Sequence, residues 1–118
     1  MFGGFTSSPW ATPEESMYVG DNSAFIFSLT HGTKHPRRSD FNRYAVYHDV
    51  HTLPSFGGGP DFMISNDCNA NTWSSSNFGL SYELPAGMLY ESNGARSYLA
   101  GSYYFKVEEI EVFKIEFI

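Results

Sequence analysis

A chain of 118 residues has room for one domain and a modest core. Its formal net charge of −6, with only seven Lys and Arg, argues against the basic face that nucleic acid requires. The 42% hydrophobic content argues against disorder, and 18% aromatic residues with 11 glycines favour strands joined by tight turns.

In chain order, Phe2-Gly3-Gly4-Phe5 reads as the end of a strand. Thr12-Pro13-Glu14-Glu15 supplies an N-cap, a proline at the first helical position and acids in the first turn, which predicts one short helical turn. Ser23 to Leu29 alternates as a strand, with Phe25, Phe27 and Leu29 on one face. Gly32 and Pro36 make residues 30–40 a loop. This loop gathers Lys34, Arg37 and Arg38 with His31 and His35, and its plain reading is a solvated one.

Tyr44 to Val50 is the next strand, with Tyr44, Val46 and His48 sharing a face. Gly57-Gly58-Gly59 then leads into a short strand over Asp61 to Ser65, and a polar loop rich in Asn, Ser and Thr follows. Met88 to Tyr90 reads as a strand before a turn at Ser92-Asn93-Gly94. Ser97 to Ile118 carries the strongest strand pattern. Glu109 and Glu111 alternate with Ile110 and Val112, and a one-residue change of phase at Phe113 suggests a bulge. Five or six strands without a long helix predict an all-β, antiparallel two-sheet sandwich with a few short helices.

Candidate chemistry is sparse. No Gly-x-Ser-x-Gly elbow is present for a serine hydrolase, and the serines at 74–76 read as turn formers. Cys68 could act as a nucleophile with one of the four histidines, and a hydrolase using a serine or Cys68 with His48 is the weakest reading. Asp67-Cys68-Asn69-Ala70-Asn71 imitates the start of a calcium loop. It then has Thr72 where glycine is needed and Phe78 where a bidentate Glu is needed. His48 and His51 lie three apart at a strand end and point to opposite faces, so no metal site is expected there. The triple glycine leads into Pro60-Asp61 and a strand, where a phosphate loop would enter a helix. No cofactor is predicted.

Two surfaces remain. Trp73 with Asp67, Asn69 and Asn71 could stack on and hydrogen-bond a small ligand or a carbohydrate. Glu109 and Glu111, flanked by aromatics, could form a contact surface for a protein. Cys68 is the only cysteine, no Asn-x-Ser/Thr sequon occurs, and no apolar run is long enough to span a membrane, so a cytoplasmic setting is expected.

An ordered set of motifs carries more. Phe-Gly-Gly-Phe-Thr-Ser at 2–7 with Trp10, Ala-Phe-Ile-Phe-Ser-Leu at 24–29, Ser-Phe-Gly-Gly-Gly-Pro-Asp at 55–61, Ile-Ser-Asn-Asp-Cys-Asn at 64–69, Ser-Asn-Phe-Gly-Leu-Ser-Tyr-Glu at 76–83 and Leu-Ala-Gly-Ser-Tyr-Tyr-Phe-Lys-Val-Glu-Glu-Ile-Glu-Val-Phe at 99–113 together resemble a TLDc domain. The resemblance covers 1–118 as one domain. It implies a two-sheet β-sandwich with no established enzyme activity, found in oxidation-resistance proteins, several of which bind the peripheral sector of the vacuolar proton ATPase and regulate its assembly. The matching positions are Gly3, Gly4, Phe5, Ser7, Trp10, Phe56, Gly57, Gly58, Gly59, Asp61, Gly79, Glu109, Ile110, Glu111 and Val112, most of them architectural.

Domains of this family begin upstream of the Phe-Gly-Gly-Phe strand, with a helix and at least one hairpin. The resemblance therefore predicts a sandwich lacking its N-terminal strands, a fragment of a longer protein or one whose edge another chain covers. The expected function is a non-catalytic protein-interaction module, with Gly58, Gly59, Asp61, Glu109 and Glu111 at its partner surface. The oligomeric state is left open.

Overall fold

The computed structural model describes residues 1–8, 17–38, 44–49 and 52–115. The predicted helical turn at 12–15, Trp10 and His51 lie outside the described residues. Among the described residues the architecture is all-β, with two antiparallel sheets and one short helix.

The smaller sheet has the order β1-β3-β4, formed by β1 (Phe2–Phe5), β3 (Phe25–Ser28) and β4 (Thr33–Pro36). The larger sheet runs β2-β5-β6-β7-β8-β9. Its strands are β2 (Met17–Val19), β5 (Val46–His48), β6 (Thr52–Phe56), β7 (Phe62–Ser65), β8 (Ser74–Ser75) and β9 (Tyr104–Phe105). Phe5 pairs with Phe25 and Ile26 with His35 in the first sheet, and Val46 pairs with Phe56 in the second. The β6–β7 register shifts between Thr52 and Ser55, an irregularity in the strand that enters the triple glycine.

The two inner faces meet through aromatic rings. Phe2 of β1 sits edge-on to Phe62 at 5.2 Å and to Phe105 at 5.7 Å. Phe56 stacks on Phe62 at 5.0 Å, and Gly4 lies over the Phe56 ring. Ile26, Val46, Phe78 and Tyr82 complete a fully buried centre. Each large apolar side chain buried here contributes about 1.5–3 kcal/mol of transfer free energy.

Several expectations change. Ser23 to Leu29 does contain β3, but the fully buried side chains are Ile26 and Ser28, while Phe25 and Phe27 are half-buried and Leu29 lies exposed beyond the strand end. The loop predicted over 30–40 includes β4, because Gly32 at φ +69 turns the chain tightly enough to make a hairpin. Met88 to Tyr90 is not a strand. The turn at Ser92 instead opens helix α1 (Asn93–Ser97), with the Ser92 hydroxyl accepting from the Ala95 N–H at 3.1 Å.

The largest correction is at the C-terminal end. Among the described residues of this stretch only Tyr104 and Phe105 enter a sheet; 106–115 form no ladder, so the alternation of Glu109 to Val112 is not expressed as a paired strand, and 116–118 lie outside the described residues. Alternation supplies a two-faced strand, but a strand exists only where a neighbouring backbone takes up its N–H and C=O groups.

Candidate functional site: the glycine loop and the surface around it

Asp61 ends the Gly57–Pro60 turn and carries no exposed surface. Its Oδ2 accepts from the N–H groups of Gly79 at 3.0 Å, Tyr82 at 3.1 Å and Ser81 at 3.2 Å, and its Oδ1 accepts from Ser81 at 3.0 Å. The carboxylate thus holds residues 79–82 against the glycine loop from beneath. Burial pushes its pKa up to about 6, against the pull of the N–H donors of Ser81, Gly79, Tyr82 and Leu80. Gly57 has φ +88, and a Cβ there would run into this carboxylate. The Gly59–Pro60 peptide is cis.

The same knot ties in its neighbours. The Gly58 N–H donates to Ser81 Oγ at 2.8 Å, and the Tyr82 hydroxyl donates to the Ala45 carbonyl at 2.6 Å. Residues 81–83 then pair with the end of β4 through the Ser81 carbonyl, the Glu83 N–H and an Arg37–Tyr82 bridge. One segment therefore joins the two sheets. Of the predicted partner-surface residues, Gly58 and Gly59 are half-buried at the rim of this loop, whereas Asp61 lies beneath it and bears on the surface only through them. The Tyr18 hydroxyl reaches the Gly58 carbonyl at 3.4 Å, and its ring packs on Tyr47 and Tyr44 at 4.6 and 5.0 Å. This tyrosine cluster beside the loop was not anticipated, because Met17 to Val19 carries too short a pattern to read as a strand.

Glu109 and Glu111 are exposed on the segment that follows β9, together with Val112, Phe113 and Ile115.

The polar loop between β7 and β8 is bonded to itself. Asn71 donates from Nδ2 to the Asn66 carbonyl at 3.0 Å, and its Oδ1 accepts from Ser65 Oγ at 2.8 Å and the Trp73 N–H at 3.0 Å. Asp67 has φ +53 and its carbonyl accepts from the Ala70 N–H. Asp67, Asn69 and Trp73 are exposed, Trp73 by 73%, while the Asn71 amide is spent inside the loop. Cys68 and His48 are both buried, which presents neither to a substrate at the surface. Among the described residues no group of three or more His, Cys, Asp or Glu could hold a metal ion. No helix there is long and apolar enough to cross a membrane.

Two polar centres were missed. Asp21 accepts at Oδ2 from the Thr6 hydroxyl and the Ser7 N–H, both at 2.6 Å, and at Oδ1 from the Ser7 and Ser23 hydroxyls, both at 2.8 Å. Burial would raise its pKa, but the hydrogen bonds from Thr6, Ser23 and Ser7 overcome this and hold it well below the usual carboxylate range. Its signal was the Asp-Asn-Ser turn at 21–23. The second is His35, 4% exposed on β4, which a loop reading could not place in the interior.

The motif positions thus acquire structural roles: Gly4 over Phe56, Ser7 on Asp21, Gly57 and Gly79 around Asp61. No curated protein and no solved structure matches the chain. The family model of the TLDc domain matches residues 1–116, nearly the whole sequence, and the chain belongs to the TLDc domain family.

Proposed function

We propose that this chain is a non-catalytic protein-interaction module acting in oxidative-stress protection and in regulation of the vacuolar proton ATPase, through that enzyme's peripheral sector and on its cytoplasmic side. The observation that supports this reading is the family match over residues 1–116. The inward use of polar chemistry agrees with it, since the oxygens of Asp61 and Asp21 serve backbone and hydroxyl donors. The contact surface on this reading is the rim at Gly58 and Gly59 with Tyr18, and the exposed Glu109–Ile115 segment. The outer edges of β1 and β9, facing each other across the Phe2–Phe105 contact, are then covered by further polypeptide.

The test is affinity capture from cytosolic and membrane extracts with the wild type and with Glu109→Lys/Glu111→Lys. Recovery of peripheral-sector subunits by the wild type and their loss with the variant is the expected result. Capture without those subunits removes the named partner.

A second reading has one observation in its favour, the exposure of Trp73 beside Asp67 and Asn69. An aromatic platform with flanking polar groups suits a sugar. A glycan array with no binder, or binding unchanged in Trp73→Ala, eliminates it.

A further inference from the structure

Tyr98, the C-cap residue of α1, is gripped by two histidines of the β3–β4 hairpin. His31 stacks on the Tyr98 ring at 4.2 Å with planes 15° apart, and its Nε2–H donates to the Tyr98 carbonyl at 3.1 Å. His35 stands edge-on to the same ring at 5.5 Å and to Phe78 at 4.9 Å. Its Nδ1 lies 2.9 Å from the Glu83 carbonyl, and its Nε2 lies 2.8 Å from Thr33 Oγ1, which is 2.8 Å from the Tyr98 hydroxyl.

The direction of this chain is forced. A carbonyl oxygen only accepts, so Nδ1 carries the proton and donates to Glu83. In the neutral ring Nε2 must then accept from the Thr33 hydroxyl, and Thr33 Oγ1 accepts from Tyr98. A proton arriving at Nε2 turns that acceptor into a donor. Thr33 must then turn its own proton away from Nε2, and a positive charge is left between the rings of Phe78 and Tyr98.

We propose that His31, Thr33 and His35 form a proton-operated clamp on Tyr98, closed near neutral pH and opened by acidification, which releases α1 from the hairpin.

The surroundings of His35 favour opening. On β3 its register partner is Ile26, and the rings of Phe78 and Tyr98 close two sides. Glu83 is the facing acid, and it is exposed; His31, on the other side of Tyr98, repels a charged His35. Lys34, next in sequence, lies over the Phe25 ring. Burial depresses the His35 pKa, and the Glu83 carbonyl and carboxylate offset this only in part. The folded state therefore binds the proton less readily than the unfolded chain. The stability of the closed form is present above the ordinary histidine value of 6.5 and is lost as pH falls below it.

The experiment is amide hydrogen exchange on the whole chain from pH 7.5 to 5, corrected for intrinsic rates, with NMR titration of the imidazole and Tyr98 ring signals. In the wild type, protection at Arg96, Tyr98 and Gly101, whose N–H groups bond within this segment, should drop about tenfold. The Tyr98 ring should shift with the same midpoint as His35, below 6.5. His35→Gln should flatten the response to less than about twofold. A response retained in His35→Gln overturns the proposal. If that variant does not fold, the wild-type titration decides. A His35 midpoint at or above 6.5, or a Tyr98 signal that does not follow it, overturns the clamp.

Discussion

Gly4 of β1 and Phe56 of β6 are complementary across the two sheets: a methyl group on Gly4 would stand 2.5 Å from Phe56 Cζ. Both are family-motif positions, and the contact fixes how closely the sheets approach. Gly4→Ala should destabilise the fold by about 1–3 kcal/mol, read from the urea midpoint. Phe56→Leu alone opens a cavity and is also destabilising. The double variant Gly4→Ala/Phe56→Leu should cost less than the sum of the two, since each substitution relieves the other. Simple additivity would show that the two residues do not touch.

The hydrogen bonds around Asp61 give the second prediction. Asp61→Ala strands the N–H groups of Gly79, Ser81 and Tyr82 in the interior, at about 1–3 kcal/mol for each donor left without a partner. Such a variant should be largely unfolded at room temperature by circular dichroism. Asp61→Asn keeps the shape but aims an NH2 group at one of these donors, so it should fold with a clearly lowered midpoint.

The two buried aspartates should respond to pH in opposite senses. Asp61, pushed up to about 6 from 3.8, holds its proton more firmly in the folded state than in the unfolded chain. Its contribution is therefore largest below 3.8 and falls as pH rises through 6, by an amount on the order of 3 kcal/mol. Asp21 is held below its ordinary value of 3.8, so its contribution is full above that value and is lost as pH falls through the lowered one. Stability curves of wild type and Asp61→Asn should converge between pH 4 and 6, whereas wild type and Asp21→Asn should converge only in stronger acid. Parallel curves across the whole range would contradict both assignments.

Tyr82→Phe should be mild despite complete burial. The hydroxyl donates to the Ala45 carbonyl, but that carbonyl also accepts from the Gly57 N–H at 2.9 Å, so no acceptor is orphaned. A loss of about 1 kcal/mol in chemical denaturation is expected. A loss above about 3 kcal/mol would mean that the hydroxyl holds the 79–82 segment in place more than Asp61 does.

Sequence reasoning recovered the elements whose pattern is carried by their own residues. β3, β5 and β7 alternate or run apolar between clear breakers, and the antiparallel two-sheet class follows from them. It failed where the deciding partner is distant. β4 looks like a polar loop because His35 is a core residue only when Phe78 and Tyr98 are folded over it. Conversely, residues 106–115 look like the best strand in the chain and have no ladder. The polar loop at 66–73 is bonded to itself because Asn side chains find local backbone partners, a tendency the loop's composition carries. Asp61 was legible as a motif residue but not as a buried one, because an isolated acid after glycines gives no sign of the N–H groups waiting eighteen to twenty-one positions later.

The segment at 106–115, outside both ladders, bears on the colloidal behaviour of the molecule. Val112, Phe113 and Ile115 stand in water, more than half exposed, beside Glu109, Glu111 and Lys114. An exposed run of high β-propensity outside a ladder is a template for stacking against copies of itself, and interleaved charge is what keeps such runs apart. Repulsion between these acids adds to that of the whole chain at −6. Added salt shortens the reach of that repulsion to about 3 Å at 1 M. Solubility is therefore tied to ionic strength, and a segment that invites a partner in dilute buffer becomes, at high salt, the point from which clustering begins.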